Sequence, residues 1–360
     1  MKVFFDARMV GHPGIGRYIK CLLSEFKKRK DVELNILGNK NYIEKYLGAH
    51  GNIIDFNHPI YSTQEQLGFL HLKKVIGQHV LHIPHYNIPV LAKFNLVTTI
   101  HDLTHIVYPQ GASKKFASVY MKFMIERVIK TAKRVICDSR STECSLRKIY
   151  KIENMNIDVI HIGIDKKFCR IEDNKYLQGI KEKYKLPDKF ILYVGSIRRH
   201  KNIKMLLESF SELRKRIPDV WLVVVGRLNH HFDFTQKNIL YIGEIPDDRE
   251  LAAIYNMSSV FCNLSLHEGF GLTILEAQQC GLGVVCSNID PHLEIGGDSI
   301  CAVPPDSISQ IANALHNVLT DDALRESLIQ KGLKNISRFD WKITADKTIA
   351  IYEELLGSKF

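Results

Sequence analysis

The chain has 360 residues, 45% hydrophobic and 24% charged, which is the balance of a globular protein and excludes disorder, collagen, coiled coil and disulfide miniprotein. At about 100–200 residues per domain, the length points to two domains with a core in each. The net charge of +10 is uneven: residues 1–185 carry 31 Lys and Arg against 17 Asp and Glu, which leaves 18 against 22 in residues 186–360. A basic excess attracts nucleic acid, anionic lipid or phosphorylated substrates, and unlike halves suggest two kinds of partner.

In chain order, short apolar runs alternate with helical patterns. Val3–Phe5, Leu34–Leu37, Val80–Ile83, Leu96–Ile100, Val135–Cys137 and Ile157–Ile160 read as strands of the first half. Phe190–Val194, Val220–Val225, Ile239–Ile242, Val260–Leu264 and Gly283–Cys286 read as strands of the second. They are apolar on both faces, as parallel strands covered by helices are. Between them Arg17–Arg29, Lys115–Thr131, Ile203–Arg216, Asp248–Met257 and Ser309–Leu319 carry helical patterns, and Trp341–Leu355 is a last amphipathic helix. The alternation, repeated twice, predicts two doubly wound α/β domains that meet in the polar stretch Lys166–Pro187. Ligands of such sheets bind beyond the carboxyl ends of the strands, and two facing domains would hold one in a cleft between them.

The eight cysteines form no C-x-x-C pair and read as small buried hydrophobes in a reducing cytosol. The N-terminus is charged too early for a signal peptide, and no run approaches the ~18 apolar residues of a membrane span. A cytoplasmic location is therefore expected, with room for a peripheral place on a membrane.

Four stretches carry candidate chemistry. Gly11-His12-Pro13-Gly14-Ile15-Gly16-Arg17-Tyr18 follows the first strand; its glycines let backbone approach an anion, but it lacks the Lys-Ser/Thr of a P-loop, and a plain strand–helix turn explains it equally well. Ile100-His101-Asp102 ends a strand, where a polar residue meets a ligand. His105 stands four residues after His101, but the strand end argues against a zinc helix. His79, His82 and His85 do not share a strand face; His85 reads as reaching the cleft and the other two as structural. Gly195-Ser196-Ile197-Arg198-Arg199-His200-Lys201-Asn202 offers a cationic run suited to a diphosphate, and its Lys201 opposes the dipole of the helix that follows. His267-Glu268-Gly269-Phe270-Gly271-Leu272-Thr273-Ile274-Leu275-Glu276 places one carboxylate ahead of a helix start and one in its second turn. Acidic capping and sugar-hydroxyl binding fit it equally well.

Taken together these motifs resemble family 4 of the retaining nucleotide-sugar glycosyltransferases, in the style of bacterial mannosyltransferases of surface-polysaccharide (O-antigen, lipopolysaccharide) synthesis. Glu268 to Glu276 is similar to the E-x7-E signature, Pro13–Tyr18 to G-G-I-G-R-Y, His101-Asp102 to the active-site His-Asp, Val135–Ser139 to V-x-x-S, Val194–Asn202 to V-G-N-x-x-P-H-K-N, and Phe339-Asp340-Trp341 to F-S-W. Departures are Thr273 for Pro, Arg199 for Pro, Gly281-Leu282-Gly283 for G-T-P, and His292-Leu293-Glu294 for Leu-Pro-Glu.

The resemblance implies the GT-B fold, two Rossmann-like domains across a cleft: 1–170 with the C-terminal helix 341–360 on the acceptor side, and 171–340 on the donor side. It implies transfer of a hexose from a nucleoside diphosphate sugar to a saccharide or lipid-linked acceptor, with retention. Lys201, with Arg199, His200 and Ser196, would take the diphosphate charge, aided by backbone of Gly269, Phe270, Gly271, Leu272 and Thr273. Glu276 would hold the ribose, Glu268 the donor sugar, and Ile245 would lie near the base. Gly14 and Gly16 would close over the phosphates. His101 would touch the sugar near the reacting carbon, and Arg17, His85 and Asp102 belong on the acceptor side. No metal or other cofactor is expected, since Asp247-Asp248 reads as a helix cap. No first-domain carboxylate suggests itself as nucleophile, which favours front-face substitution. GDP-mannose is the expected donor, with UDP-glucose, UDP-N-acetylglucosamine or UDP-galactose as alternatives.

A nucleotide-sugar epimerase lacks this E-x7-E setting, and a nucleic-acid-binding protein would need basic residues interleaved with aromatics. The basic excess lies instead in runs such as Lys27–Lys30, Lys73-Lys74, Lys114-Lys115 and Arg127–Arg134. With apolar Phe116–Val128 between two of them, an anionic membrane surface is the expected partner.

Overall fold

The computed structural model describes residues 1–360 apart from 13, 49–50, 109–111, 229–233 and 358–360, and apart from the side chains of 112–116. Pro13 of the first glycine loop, and the side chains of Lys114, Lys115 and Phe116, therefore lie outside the described residues. Two compact units result: Met1–Gly163 with Phe339–Phe360, and Ile164–Arg338.

The first unit has seven strands: β1 (Lys2–Asp6), β2 (Glu33–Gly38), β3 (Asn52–Asp55), β4 (Val80–Ile83), β5 (Asn95–Ile100), β6 (Arg134–Cys137) and β7 (Ile157–Val159), all parallel, in the order β3-β2-β1-β4-β5-β6-β7. Its helices are α1 (Ile15–Phe26), α2 (Lys40–Leu47), α3 (Thr63–Ile76), α4 (Thr104–Val107), α5 (Ala112–Thr131) and α6 (Arg140–Tyr150). Phe69 of α3, Met124 of α5 and Leu146 of α6 share one buried cluster with Leu81, Leu96 and Val135 of the sheet. Right-handed crossovers put α1 and α2, which step the other way along the sheet, on the opposite face.

The second unit starts with α7 (Asn174–Tyr184) and has six parallel strands: β8 (Phe190–Val194), β9 (Trp221–Val225), β10 (Ile239–Gly243), β11 (Val260–Asn263), β12 (Val284–Ser287) and β13 (Cys301–Val303), in the order β10-β9-β8-β11-β12-β13. Its other helices are α8 (Ile203–Arg214), α9 (Asp248–Met257), α10 (Leu272–Gln279), α11 (Asp290–Gly296), α12 (Ile308–Thr320) and α13 (Asp322–Asn335). Asn39, Ser62, Ser139, Asp173, Asp247 and Asp321 cap helices through their side chains, each cap contributing about 1 kcal/mol. The last helix, α14 (Trp341–Gly357), belongs to the first unit. There Tyr352 is buried, its phenol 2.5 Å from His82 Nδ1, and its ring packs on Phe26 of α1.

In each sheet the strand order reverses once, between β1 and β4 and between β8 and β11. Such switch points leave a crevice at the carboxyl ends of the two strands. The sequence reading missed β3 and β13: Asn52-Ile53-Ile54-Asp55 has only two apolar residues and Cys301-Ala302-Val303 is three long, both at sheet edges. Residues 164–170, allotted from sequence to the first half, pack in the second unit, with Phe168 against Tyr255 and the Cys169 carbonyl accepting from Asn256. Among the described residues no cysteine forms a disulfide; Cys137, Cys262, Cys280 and Cys286 are buried, while Cys144 and Cys169 are exposed rather than buried. No helix among the described residues is long and apolar enough to cross a membrane.

Candidate active site

At the switch point of the second sheet, the loops after β8 and β11 meet. Strand ends crowd here: a Cβ on Gly226 would lie 1.9 Å from the Gly195 carbonyl oxygen, so only glycine fits. The loop after β8 forms a single turn, 199–201, and its His200 carbonyl accepts from the Leu266 N–H of the other loop at 2.7 Å. That turn divides the cationic run. Arg199 is exposed and Lys201 half-buried, but His200 is 6% exposed and its side chain lies inside, which corrects the reading of four cations presented together. Ser196 is half-buried on the same loop, its carbonyl accepting from the Tyr193 hydroxyl.

Lys201 and Glu268 come together. Lys201 Nζ donates to Glu268 Oε1 at 2.5 Å, and Ser265 Oγ lies 2.8 Å from the same oxygen and 2.6 Å from Asn263 Oδ1. Burial alone would raise the Glu268 carboxyl, but the charges of Lys201 and His292 and the two hydrogen bonds pull it down to about 2. Ser265 and His292 were missed from sequence. His292 is fully buried, Nδ1 3.0 Å from the Ser287 carbonyl, and burial presses its pKa down to about 4 despite Glu268.

Beyond Glu268, half-buried Gly269 and buried Phe270 lead to Gly271, whose φ of +103° turns the chain into α10. A side chain on Gly271 would also press on Ile295 at 3.0 Å and His292 at 3.2 Å. Among the described residues no side chain caps α10 and no acidic residue lies in its first turn, so the positive end of the helix dipole, at Leu272 and Thr273, is open to an anion. Thr273 Oγ1 accepts from Asn263, and Glu276, 3% exposed, accepts from the Tyr255 hydroxyl at 3.3 Å. Ile245 is buried just past β10. Asp247 caps α9, as read from the sequence.

The first sheet's edge is built differently. Ile100 of β5 is in register with Cys137 of β6, so the next residues, His101 and Asp138, end up side by side. His101 Nδ1 lies 2.6 Å from Asp138 Oδ2, Nε2 lies 3.2 Å from the Pro84 carbonyl, and the Tyr18 ring stands edge-on at 4.9 Å. Burial would lower the His101 pKa, but the charge and hydrogen bond of Asp138, the charge of Asp102 and the Pro84 carbonyl outweigh it and hold it above the ordinary value.

Five other first-unit candidates sit less simply. His85 is 8% exposed and internal, accepting from the Asn87 N–H at Nδ1 and facing the Tyr61 hydroxyl at Nε2, so it does not present itself to a cleft as expected. Below it Arg8 is clamped by Asp6 and Glu65, and Glu65 in turn accepts from Asn87. Asp102 lies two residues ahead of α4 and accepts from the Thr104 N–H. Arg17 is half-buried. Gly16 is required by packing: a Cβ there would be 2.3 Å from the Val10 carbonyl, whereas Gly14, at φ +80°, faces open space. Among the described residues no group of three or more His, Cys, Asp or Glu is placed to hold a metal ion.

Comparison with known proteins gives the family and the fold. The family description "Glycosyltransferase Family 4" matches residues 14–168 and "Glycosyl transferases group 1" matches residues 178–335. The O-antigen chain mannosyltransferase B of Escherichia coli is 25% identical, covering 99% of this chain and 100% of that protein. The serotype-specific mannosyltransferase WbdA of Escherichia coli is 29% identical over 78% of this chain, but this chain spans only 35% of that protein. The phosphatidyl-myo-inositol mannosyltransferase of Mycolicibacterium smegmatis is 25% identical over 78% of this chain and 72% of its own. Among solved structures, sucrose-phosphate synthase from Thermosynechococcus elongatus superposes with a TM-score of 0.77 at 19% identity, 100% of both chains covered, and WaaG, a glycosyltransferase involved in lipopolysaccharide biosynthesis, with 0.70 at 14%, covering 98% and 99%. The chain belongs to family 4 of the glycosyltransferases, an enzyme of the GT-B fold.

Proposed function

We propose that this glycosyltransferase moves mannose from GDP-mannose to a hydroxyl of a saccharide or lipid-linked acceptor, with retention and without a metal ion. The observation that carries the reading is the meeting of Lys201 and Glu268 at the mouth of α10, a cation and a carboxylate beside a helix start that no side chain caps. A diphosphate there gains Lys201, Arg199 and the helix amides together, and fixed charges of this kind stabilise a leaving group without a metal. Glu268, released from Lys201, is free to accept from sugar hydroxyls, and Glu276 from the ribose. Mannose is supported by the names of the relatives in Escherichia coli and Mycolicibacterium.

In the reaction, the bond from the anomeric carbon to the phosphate oxygen breaks as a bond to the acceptor oxygen forms on the same face. The acceptor proton passes to the departing phosphate oxygen. Incubating the protein with GDP-mannose, UDP-glucose, UDP-N-acetylglucosamine and UDP-galactose, with and without EDTA, tests this reading. GDP release from GDP-mannose alone, unchanged by EDTA, is expected; turnover of a UDP-sugar instead would overturn the donor assignment, and EDTA sensitivity the metal-free mechanism.

The acceptor side is proposed to rest on an anionic membrane. On one layer of the first unit, α5 exposes Val119 and Phe123 beside Lys122 and Lys130, and α3 exposes Leu67, Leu70 and Val75 beside Lys73 and Lys74. Exposed apolar side chains on the same helices as exposed lysines suit insertion beneath anionic headgroups. Flotation with phosphatidylglycerol vesicles at low salt is expected, and its failure would return these lysines to a solvated surface.

A further inference from the structure

His101 lies between two groups that can only accept hydrogen bonds. Asp138 Oδ2 is 2.6 Å from Nδ1 and the Pro84 carbonyl 3.2 Å from Nε2, so a neutral ring would aim one lone pair at an acceptor. The ring has further restraints: Tyr18 packs edge-on against it, and the His101 carbonyl accepts from Thr142 Oγ1 at 3.4 Å. Asp138 is 3% exposed, and its other oxygen, Oδ1, has no hydrogen-bond partner among the described residues. A buried carboxylate left half-satisfied calls for an explanation, and a charged partner beside it supplies one.

We propose that Asp138 is a positioning residue for glycosyl transfer: together with the Pro84 carbonyl it fixes the His101 ring at the edge of the first sheet and keeps both ring nitrogens protonated. His101 then acts as a fixed cation and not as a base, since it has no lone pair to take a proton. The groups around it agree with that state. Asp138 on the neighbouring strand end and Asp102 on its own loop favour the charge, while His82 on β4 and His85 just past its end are kept neutral by burial, their pKa values pressed to about 3. The inference rests on the glycosyl-transfer reading for its catalytic meaning, though not for the pairing itself.

The test uses the full chain with 15N-labelled histidine, His101 being assigned by its loss in His101→Gln. At neutral pH both ring nitrogens of His101 should be protonated. In Asp138→Asn the His101 midpoint should fall by about a unit or more, and kcat should drop roughly ten- to a hundredfold, as when the carboxylate orienting a functional imidazole is removed. The donor KM should stay within about twofold, and Asp138→Asn should cost less than about twofold further in the His101→Gln background, because the two act as one unit. Asp138→Glu should restore the protonated ring. A neutral ring in the wild type, an unmoved midpoint in Asp138→Asn, or the same loss of rate with and without His101 would each overturn the proposal. Should Asp138→Asn not fold, the wild-type ring and Asp138→Glu decide it. Absence of sugar transfer by the wild type counts against the functional reading, while the titration still reports the pair.

Discussion

The two carboxyl edges hold their charges in opposite ways. At the second sheet, Lys201 and Glu268 are partners of each other ahead of a helix with no side-chain cap among the described residues; on the proposed reading an incoming phosphate would take Lys201 and free Glu268 in one exchange. At the first sheet, Arg8 is held by Asp6 and Glu65, and His101 by Asp138 and Pro84. One edge is arranged to change partners and the other to stay fixed. Donor binding and turnover should therefore separate by unit when residues are changed.

The strongest way to break that comparison is at the second edge. Lys201→Ala should lower kcat/KM for the donor sugar by about 10²–10³, the range for loss of one group stabilising developing charge, and Glu276→Ala, which removes a ribose acceptor, by about 10–10², as followed by nucleoside diphosphate release. His101→Ala should instead lower kcat and leave nucleotide affinity, measured calorimetrically, as it was. Equal losses of affinity from Lys201→Ala and His101→Ala would erase the distinction.

A smaller effect tests the glycine loop. Gly16→Ala forces a Cβ to within 2.3 Å of the Val10 carbonyl and should destabilise the first unit by about 1–3 kcal/mol, or roughly 2–4 °C in Tm per kcal/mol. Gly14→Ala meets no atoms but must hold φ +80°, costing about 1 kcal/mol. If Gly14→Ala proves the more destabilising, Gly16 is there for the ligand and not for packing.

The subtlest effect is on pH. Buried His82, His85 and His292 have folded pKa values near 3, 3 and 4, below their ordinary value of about 6.5, so the unfolded chain binds more protons and stability falls as pH drops below about 6.5. His101 runs the other way: its contribution is fully present below about 6.5 and is lost as pH rises through its elevated folded value. Glu268 contributes above about 4.5, and that contribution is lost as pH falls toward about 2. Tm recorded from mild alkali into acid should therefore decline steadily below about 6.5; a flat profile there would contradict the buried neutral histidines.

Much of this was legible in the sequence because parallel strands buried on both faces are short apolar runs, and because loops at strand ends carry the chemistry. Lys201, Glu268 and Glu276 were visible as motif positions. What the sequence hid was pairing in space. The Lys201–Glu268 contact spans 67 residues and the His101–Asp138 contact 37, with no local signal for either. The clue to Asp138 was geometric: two parallel strands in register, each ending one residue before a polar side chain. The burial of His200 and His85 was not legible either, because a histidine in a loop beyond a strand reads the same whether its ring is exposed or covered.

The route of the chain has its own consequence for biosynthesis. The first unit begins at Met1 but is completed only by Phe339–Phe360, with Trp341 packed on Gly163 so closely that a Cβ there would lie 2.3 Å from the Trp341 nitrogen. During translation the second unit, contiguous from Ile164 to Arg338, has all its strands available before α14 emerges to cover His82 and Phe26. The half made first is thus finished last, and a ribosome-bound chain passes through a stage in which the second unit is whole while the first still lacks a helix.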